Sequence, residues 1–374
     1  MRIFDHRFEG NIARSSKERA LLLCALLSLA VFAALESLPK EAERPNAQTE
    51  LTASKKMEQA VRVLREEFQS RGLHFDDTLD PNHTGLIGVE YSEMVTTLGS
   101  VEAKRTTTNP LMAGLIVRML GEVGVARGDT IAVGCSGSFP ALAVATLCAA
   151  QAAGVHPVMI VSLGSSSYGA DRTDWTLLDI IQTLKNKGLV DAAPAGISLG
   201  GSHDVGNDFE GETKTLLTNK IRSSGYPFIC QPDLSLDVAE RMRIYTGATG
   251  GSRITAFVNI GGSYADLGTD PLILKLEPGI NRQMSMPEKE DHYGVVFAMA
   301  KRHIPVIHLL HIKGLVLKYG LPWDPTPLPK IPGAGFSHFH SAPNVTVTAI
   351  SALYFILVVA ILVSHRKEFF RTSS

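Results

Sequence analysis

The chain reads as an α/β protein: a doubly wound, mostly parallel, Rossmann-like sheet between an N-terminal and a C-terminal transmembrane helix. Three observations predict it. Short β-branched runs alternate with stretches of helical periodicity at the βαβ interval. Four of those runs stop abruptly in glycine and serine: Ile131–Val133 before Gly134-Cys135-Ser136-Gly137-Ser138, Val158–Val161 before Ser162-Leu163-Gly164-Ser165-Ser166-Ser167, Ile197–Leu199 before Gly200-Gly201-Ser202-His203-Asp204, and Phe257–Ile260 before Gly261-Gly262-Ser263. Two uncharged apolar runs, residues 20–35 and 345–364, lie near the two ends of the 374 residues, the second about as long as a bilayer core requires.

The ends set the expected topology. Residues 1–19 form a tail with Arg2, Arg7, Arg14, Lys17 and Arg19, and residues 365–374 form another with Arg366, Lys367 and Arg371, whereas Glu36, Glu41 and Glu43 follow the first apolar run. The positive-inside rule places both tails in the cytoplasm and the residues between the spans outside it, on the inner (cytoplasmic) membrane's periplasmic or outer face. Ala33-Ala34-Leu35-Glu36 is a poor match to a small-x-small cleavage site, so the first run is read as an uncleaved anchor rather than a signal peptide. Residues 36–56 and 331–344 are read as linkers around an α/β domain at 57–330. Each tail carries a net +2, so the stretch between them carries −5 of the chain's −1. That balance excludes a nucleic-acid partner and requires any polyanion to be held by local donors. Cys24, Cys135, Cys148 and Cys230 have no staple or zinc spacing and are read as small apolar residues.

The elements follow in order. Met57, Ala60, Val61, Leu64 and Phe68 recur at helical spacing up to Gly72, and Leu86–Val89 reads as a strand ending at Glu90. Pro110 opens a helix that Leu111, Leu115, Ile116, Met119 and Leu120 continue toward Gly128. Then come strand 131–135, a helix over Pro140–Ala153, strand 157–163, a helix from Trp175 to Gly188, strand 196–199 and a helix from Glu212 to Gly225. A short strand Pro227–Cys230, a helix over Leu236–Thr246 and strand 254–260 complete the alternation. Residues 292–318 read as helix, strand Pro305–Leu310 and helix, and Leu321–Pro329 as a stiff proline-rich connector.

In a parallel sheet the four glycine-serine ends share one edge, where ligands of such folds bind. Glycine admits close approach, serine supplies a short donor, and a following helix N-terminus favours an anion. Gly134, Gly137, Ser165, Ser166, Gly201, Ser202, Gly262 and Ser263 are therefore candidate ligand-binding residues. The polar segment Thr96–Pro110 reads as a lip for carboxylates, with Arg105 as bidentate donor, Lys104 as point charge and Asn109 as a further donor; the alternative is a solvated loop with capping threonines. Ser136 and Ser138 stand on a strand-to-helix turn that partly matches a nucleophile elbow, although Ser138 replaces its last glycine. Either serine as nucleophile, with His203 or Glu90 as base, is one reading; helix capping or ligand binding is the other. The pairs His308/His311 and His338/His340 lack a third ligand nearby. No metal or cofactor is expected.

Gly88-Val89-Glu90-Tyr91-Ser92, Glu102-Ala103-Lys104-Arg105-Thr106-Thr107-Thr108-Asn109-Pro110, Gly134-Cys135-Ser136-Gly137-Ser138-Phe139-Pro140 and Ser162-Leu163-Gly164-Ser165-Ser166-Ser167-Tyr168-Gly169-Ala170 with Asp174-Trp175, taken in this order, resemble the poly-γ-glutamate system protein family. The resemblance runs from about Met57 to Pro329. It implies a role beside the ligase and membrane subunits of a bacterial poly-γ-glutamate synthase, in making or exporting the polymer. The expectation is a membrane-anchored component whose outer domain binds poly-γ-glutamate or a related carboxylate. Two alternatives stay open: a serine-type γ-glutamyl hydrolase or transferase, and a structural scaffold for the synthase.

Overall fold

The computed structural model describes residues 16–37, 46–249, 253–331 and 345–364. The chain divides into two compact units, residues 1–43 with 340–374, and residues 44–339. Helix α1 (Ser16–Ser37) belongs to the first. The second opens with α2 (Ala47–Ser70), which buries Leu51, Met57, Ala60, Val61, Leu64 and Phe68 along one stripe. It starts at Ala47 rather than Met57 because Leu51 extends that apolar stripe, so the expected linker is already helical at its end; residues 38–45 lie outside the described residues. Strand β1 (Val95–Thr97), helix α3 (Val101–Thr107) and helix α4 (Leu111–Glu122) follow.

The alternating core then runs as expected, with small additions: β2 (Thr130–Ser136), α5 (Pro140–Ala153), β3 (His156–Ser162), β4 (Ser165–Ser166), β5 (Asp171–Arg172), β6 (Trp175–Thr176), α6 (Leu177–Asn186), β7 (Pro194–Ser198), α7 (Gly211–Ser223), α8 (Leu234–Gly247), β8 (Ile254–Ile260) and α9 (Tyr264–Leu267). After it come β9 (Gly279–Asn281), α10 (Val295–Lys301), β10 (Val306–Leu309) and α11 (Ile312–Tyr319), and the first unit closes with α12 (Val345–Ser364). Helix α5 begins on Pro140, whose missing N–H costs nothing there, and ends on Gly154 in the left-handed conformation. Helix α6 starts in a capping box between Thr176 and Asp179.

The central sheet has the order β7-β3-β2-β8-β10-β9, parallel throughout except for β9, which pairs antiparallel with β10. Ile131, Val133 and Cys135 of β2 join Met159, Val161 and Ile197 on the face covered by α2, α4, α5 and α6. Ala132, Val158, Ile160 and Phe257 join Val238, Met242, Val296 and Phe297 on the face covered by α8 and α10. Burial on both faces is why the strands read as continuous apolar runs rather than alternating ones. Each fully buried side chain of this size contributes roughly 1.5–3 kcal/mol.

Three expected elements are corrected. Leu86–Val89 forms no strand: Gly88 N donates to Tyr168 O and Tyr168 N to Val89 O, but the partner is a turn with Tyr168 at φ +65°. The short strand in this region is β1, which pairs with β4 in parallel. Pro227–Cys230 makes only a single bridge, Phe228 with Ile197. The polar segment expected as a lip is largely α3, and Lys104, Thr106, Thr107, Thr108 and Asn109 are buried. Its threonines bury because their hydroxyls donate back to carbonyls of the preceding turn, Thr106 to Glu102, Thr107 to Lys104 and Thr108 to Arg105, each at 2.7 Å.

In the other unit, Ser28 Oγ of α1 donates to Cys24 O and lies 2.8 Å from Tyr354 OH of α12. Among the described residues one helix, at Val347–Ser364, is long and apolar enough to cross a membrane; the apolar part of α1, Leu21–Leu35, is shorter. Most of the basic flanks, with His338 and His340, lie outside the described residues.

Candidate functional site

The strand order reverses between β2 and β8: the chain proceeds from β2 to β3 and β7 on one side, and from β8 to β10 on the other. Turns that diverge at such a reversal leave a crevice at the carboxyl ends of the strands. Here it measures about 350 Å³ and is lined by Ser136 and Ser138, Ser162 and Gly164, Gly200, Gly201 and Ser202, and Gly262 and Ser263. All four glycine-serine turns meet in it. Thr96, Thr97, Asp208, Tyr264, Leu267 and Gly268 complete the wall.

The crevice is rich in unspent donors. Ser136 Oγ has no partner although the residue is only 3% exposed. The N–H groups of Ser138, Gly201, Gly262 and Ser263 make no hydrogen bond to the described residues. Gly261 sits at φ +79°, and a Cβ there would stand 2.7 Å from Ser136 Oγ, so a side chain at this position would press on that buried hydroxyl. Other predicted members are spent on structure. Gly137 N donates to Ser162 O and Gly164 O, and Ser138 Oγ accepts from Ser166 N at 3.0 Å. Ser263 Oγ caps α9, accepting from Asp266 N and donating to Asp266 Oδ2 at 2.7 Å. Ser202 N donates to Asp208 Oδ2.

Neither predicted cation lines the crevice. Arg105 is corrected from a free donor to a structural one: Nε and Nη2 grip Asp324 at 2.7 and 2.5 Å, and Nη1 reaches Thr78 O. Lys104 is buried behind the β2–α5 turn, its Nζ donating to Ser138 O and to Ser166 Oγ at 2.6 Å and standing 3.8 Å from the centre of the Phe139 ring. Burial, only partly offset by the distant Asp171 carboxylate, pulls its ammonium down to about 7. Asn109 precedes α4, its Oδ1 accepting from Leu111 N at 3.1 Å. Ser165 turns its hydroxyl to Ser166 O. Glu90 is exposed and is not among the lining residues, and His203 is exposed with its ring edge-on to Tyr264 at 5.2 Å. No hydrogen bond joins His203 or Glu90 to Ser136 or Ser138, so the acid-base pairing expected for a nucleophile is not assembled.

Beneath the crevice lies a group the sequence reading missed. Ser136, Ser162 and Ser198 stand in register across β2, β3 and β7, and Arg241 of α8, fully buried, donates through Nη2 to Ser162 Oγ, to Ser198 Oγ at 2.9 Å and to Asp204 Oδ2 at 2.5 Å. Its Nε donates to Asp237 Oδ1 at 3.0 Å, while Nη1 stands 3.8 Å from Asp266 Oδ1, too far for a hydrogen bond. Burial pulls the guanidinium down, but Asp204, Asp266 and Asp237 together hold it well above its ordinary value. Burial pushes the Asp237 carboxyl up to about 8, with Arg241 pulling back and Asp204 adding to the rise. Burial also raises Asp266. Gly134 is explained by the same cluster: a Cβ there would lie 2.6 Å from the Asp266 carboxylate oxygens. It is thus a packing residue. The i, i+4 pair Asp237/Arg241 on the one face of α8 shared with Val238, Met242 and Tyr245 is the signal that pointed to the cluster.

His308 is buried with Nδ1 at 3.0 Å from Asn259 Nδ2, and burial pulls it down to about 4. Among the described residues no group of three or more His, Cys, Asp or Glu is placed to hold a metal ion. Cys135 and Cys148 are buried, and Cys230 is exposed. A wider cleft of about 570 Å³ lies at the opposite, amino-terminal edge of the sheet, lined by Asp129, Thr130, Arg253, Arg282 and His303, away from the glycine-serine turns. No family model matches the chain, and no curated protein or solved structure is found to be similar to it.

Proposed function

We propose that the chain is a membrane-anchored component of poly-γ-glutamate synthesis or export. In this reading its doubly wound domain is held outside the cytoplasm between two spanning helices, both termini are cytoplasmic, the helices dock membrane subunits of the synthase, and the switch-point crevice binds a glutamate-like end of the polymer. One observation carries the binding role: four turns from distant parts of the chain converge on a crevice of about 350 Å³ in which the N–H groups of Ser138, Gly201, Gly262 and Ser263 and the Ser136 hydroxyl have no partner among the described residues. Such donors suit a carboxylate, because each replaces a water of hydration at small reorganisation cost. The motif resemblance supplies the polymer. The hydrolase reading draws less support, since no base contacts either serine.

Calorimetry on the full chain in detergent micelles, with short γ-linked glutamate oligomers, tests the reading. Binding is expected, weakened by Ser136→Ala and unchanged by Arg105→Ala, whose guanidinium is committed to Asp324. Loss of affinity in the Arg105 variant together with full affinity in the Ser136 variant would move the site out of the crevice. Reporter fusions before residue 1 and after residue 374 should read cytoplasmic, and one inserted at residues 38–45 external; a cytoplasmic signal from the last would reverse the topology.

A further inference from the structure

The crevice has an electrostatic sign. Asp208 carries the one formal charge among the described lining residues. One of its carboxylate oxygens accepts from Ser202 N, and no donor among the described residues reaches the other. Directly below, Arg241 is committed to Asp204 and Asp237, and the nearby Asp266 Oδ1 is left without a donor. Lys104 turns its ammonium to Ser138 O and Ser166 Oγ behind the turn. The formal charge that lines the crevice is therefore the Asp208 carboxylate, while the N–H groups of Gly262 and Ser263, without a partner among the described residues, and the buried, unpartnered Ser136 hydroxyl still offer donors to an anion. A ligand that satisfies both is zwitterionic, with an ammonium for the free Asp208 oxygen and a carboxylate for the N–H groups.

Resting on the binding role proposed above, we infer that the crevice takes the amino end of a γ-linked glutamate chain. Only that residue carries a free α-ammonium beside its α-carboxylate. In every internal residue, and at the carboxyl end, the same nitrogen is an uncharged amide and the residue is purely anionic. Asp208 is then the specificity-determining side chain, and a chain end rather than the length of the polymer is what the domain grips.

Calorimetry on the full chain in detergent micelles, with γ-linked glutamate oligomers of one length and either a free or an acetylated amino end, tests this. Acetylation should weaken binding by about tenfold or more, the size of a charge-assisted hydrogen bond. Asp208→Asn should abolish the difference in affinity between the free-amino and the acetylated oligomer. Amidation of the far end should have no effect. Equal affinity for the two oligomers in the native chain would overturn the amino-end assignment while leaving the binding role standing. Discrimination that persists in the Asp208 variant would overturn the assignment of the ammonium seat, and binding of neither oligomer would overturn both readings.

Discussion

Lys104 and Arg241 are both buried cations at the carboxyl-terminal edge of the sheet, and they differ in what surrounds them. Arg241, from the helix on one face of the sheet, meets three carboxylates and two hydroxyls. Lys104, on α3, meets a carbonyl, a hydroxyl and an aromatic ring, with no carboxylate in contact. Burial opposes charge in both. Coulomb attraction overrides it at Arg241, which stays charged, and fails to at Lys104, which falls to about 7. A charge in a protein interior is kept by its partners, not by its own basicity.

The sharpest way to break this comparison is Arg241→Met. It leaves three acids without a counter-charge and should cost about 3–5 kcal/mol in denaturant unfolding followed by the fluorescence of Trp175 and Trp323, both in the larger unit. A loss below about 1 kcal/mol, the scale of a single neutral hydrogen bond, would mean that the acids are already neutral and that the cluster is not ionic. Gly134→Ala should come next. Its Cβ would press on the Asp266 carboxylate, and overpacking of this kind costs about 1–3 kcal/mol.

Lys104→Met should cost less, about 1.5 kcal/mol or under at neutral pH, since a side chain of similar volume replaces a poorly charged amine. Its signature is in the pH dependence. With an ordinary value of 10.5 and a folded value of about 7, the lysine holds more proton when unfolded, so stability should rise with pH between those limits; the variant should lose that rise. Asp237 has the opposite sign: its folded value of about 8 lies above the ordinary 3.8, so its contribution is complete below 3.8 and is lost as pH rises through about 8, and Asp237→Asn should flatten that fall. Stability differences between the native chain and each variant across pH 4–10 that change with pH in the same sense would refute the contrast. The smallest effects separate the two serines. Ser138→Ala leaves Ser166 N unpaired and should cost about 1 kcal/mol, whereas Ser136→Ala removes a hydroxyl that bonds to nothing and should leave stability within about 0.5 kcal/mol.

The same contrast separates what was legible. Strands buried on both faces announce themselves as β-branched runs, and glycine and serine at their ends follow from the turn each strand must make. Strand β8 and the helix–strand–helix order after residue 292 therefore stood in the sequence. Helix α3 did not: its threonines bury by bonding to their own backbone, and polarity alone reads as solvent exposure. Arg105 looked like a free donor because Asp324, its partner, lies 219 positions away. The Asp237/Arg241 spacing marks one face of α8, but nothing near it in sequence marks Asp204 and Asp266 as sharing its cavity.

Sequence by itself determined the alternation of strands and helices, the apolar ends and the four turns that meet at one edge, because each depends on periodicity and local backbone chemistry. Tertiary structure decided the strand order that puts the crevice between β2 and β8, the burial of Lys104, and the gathering of Asp204, Asp237 and Asp266 around Arg241. The reason is physical: the charge state of a buried group depends on which distant groups are brought within a few ångströms of it, and chain spacing carries no record of that distance.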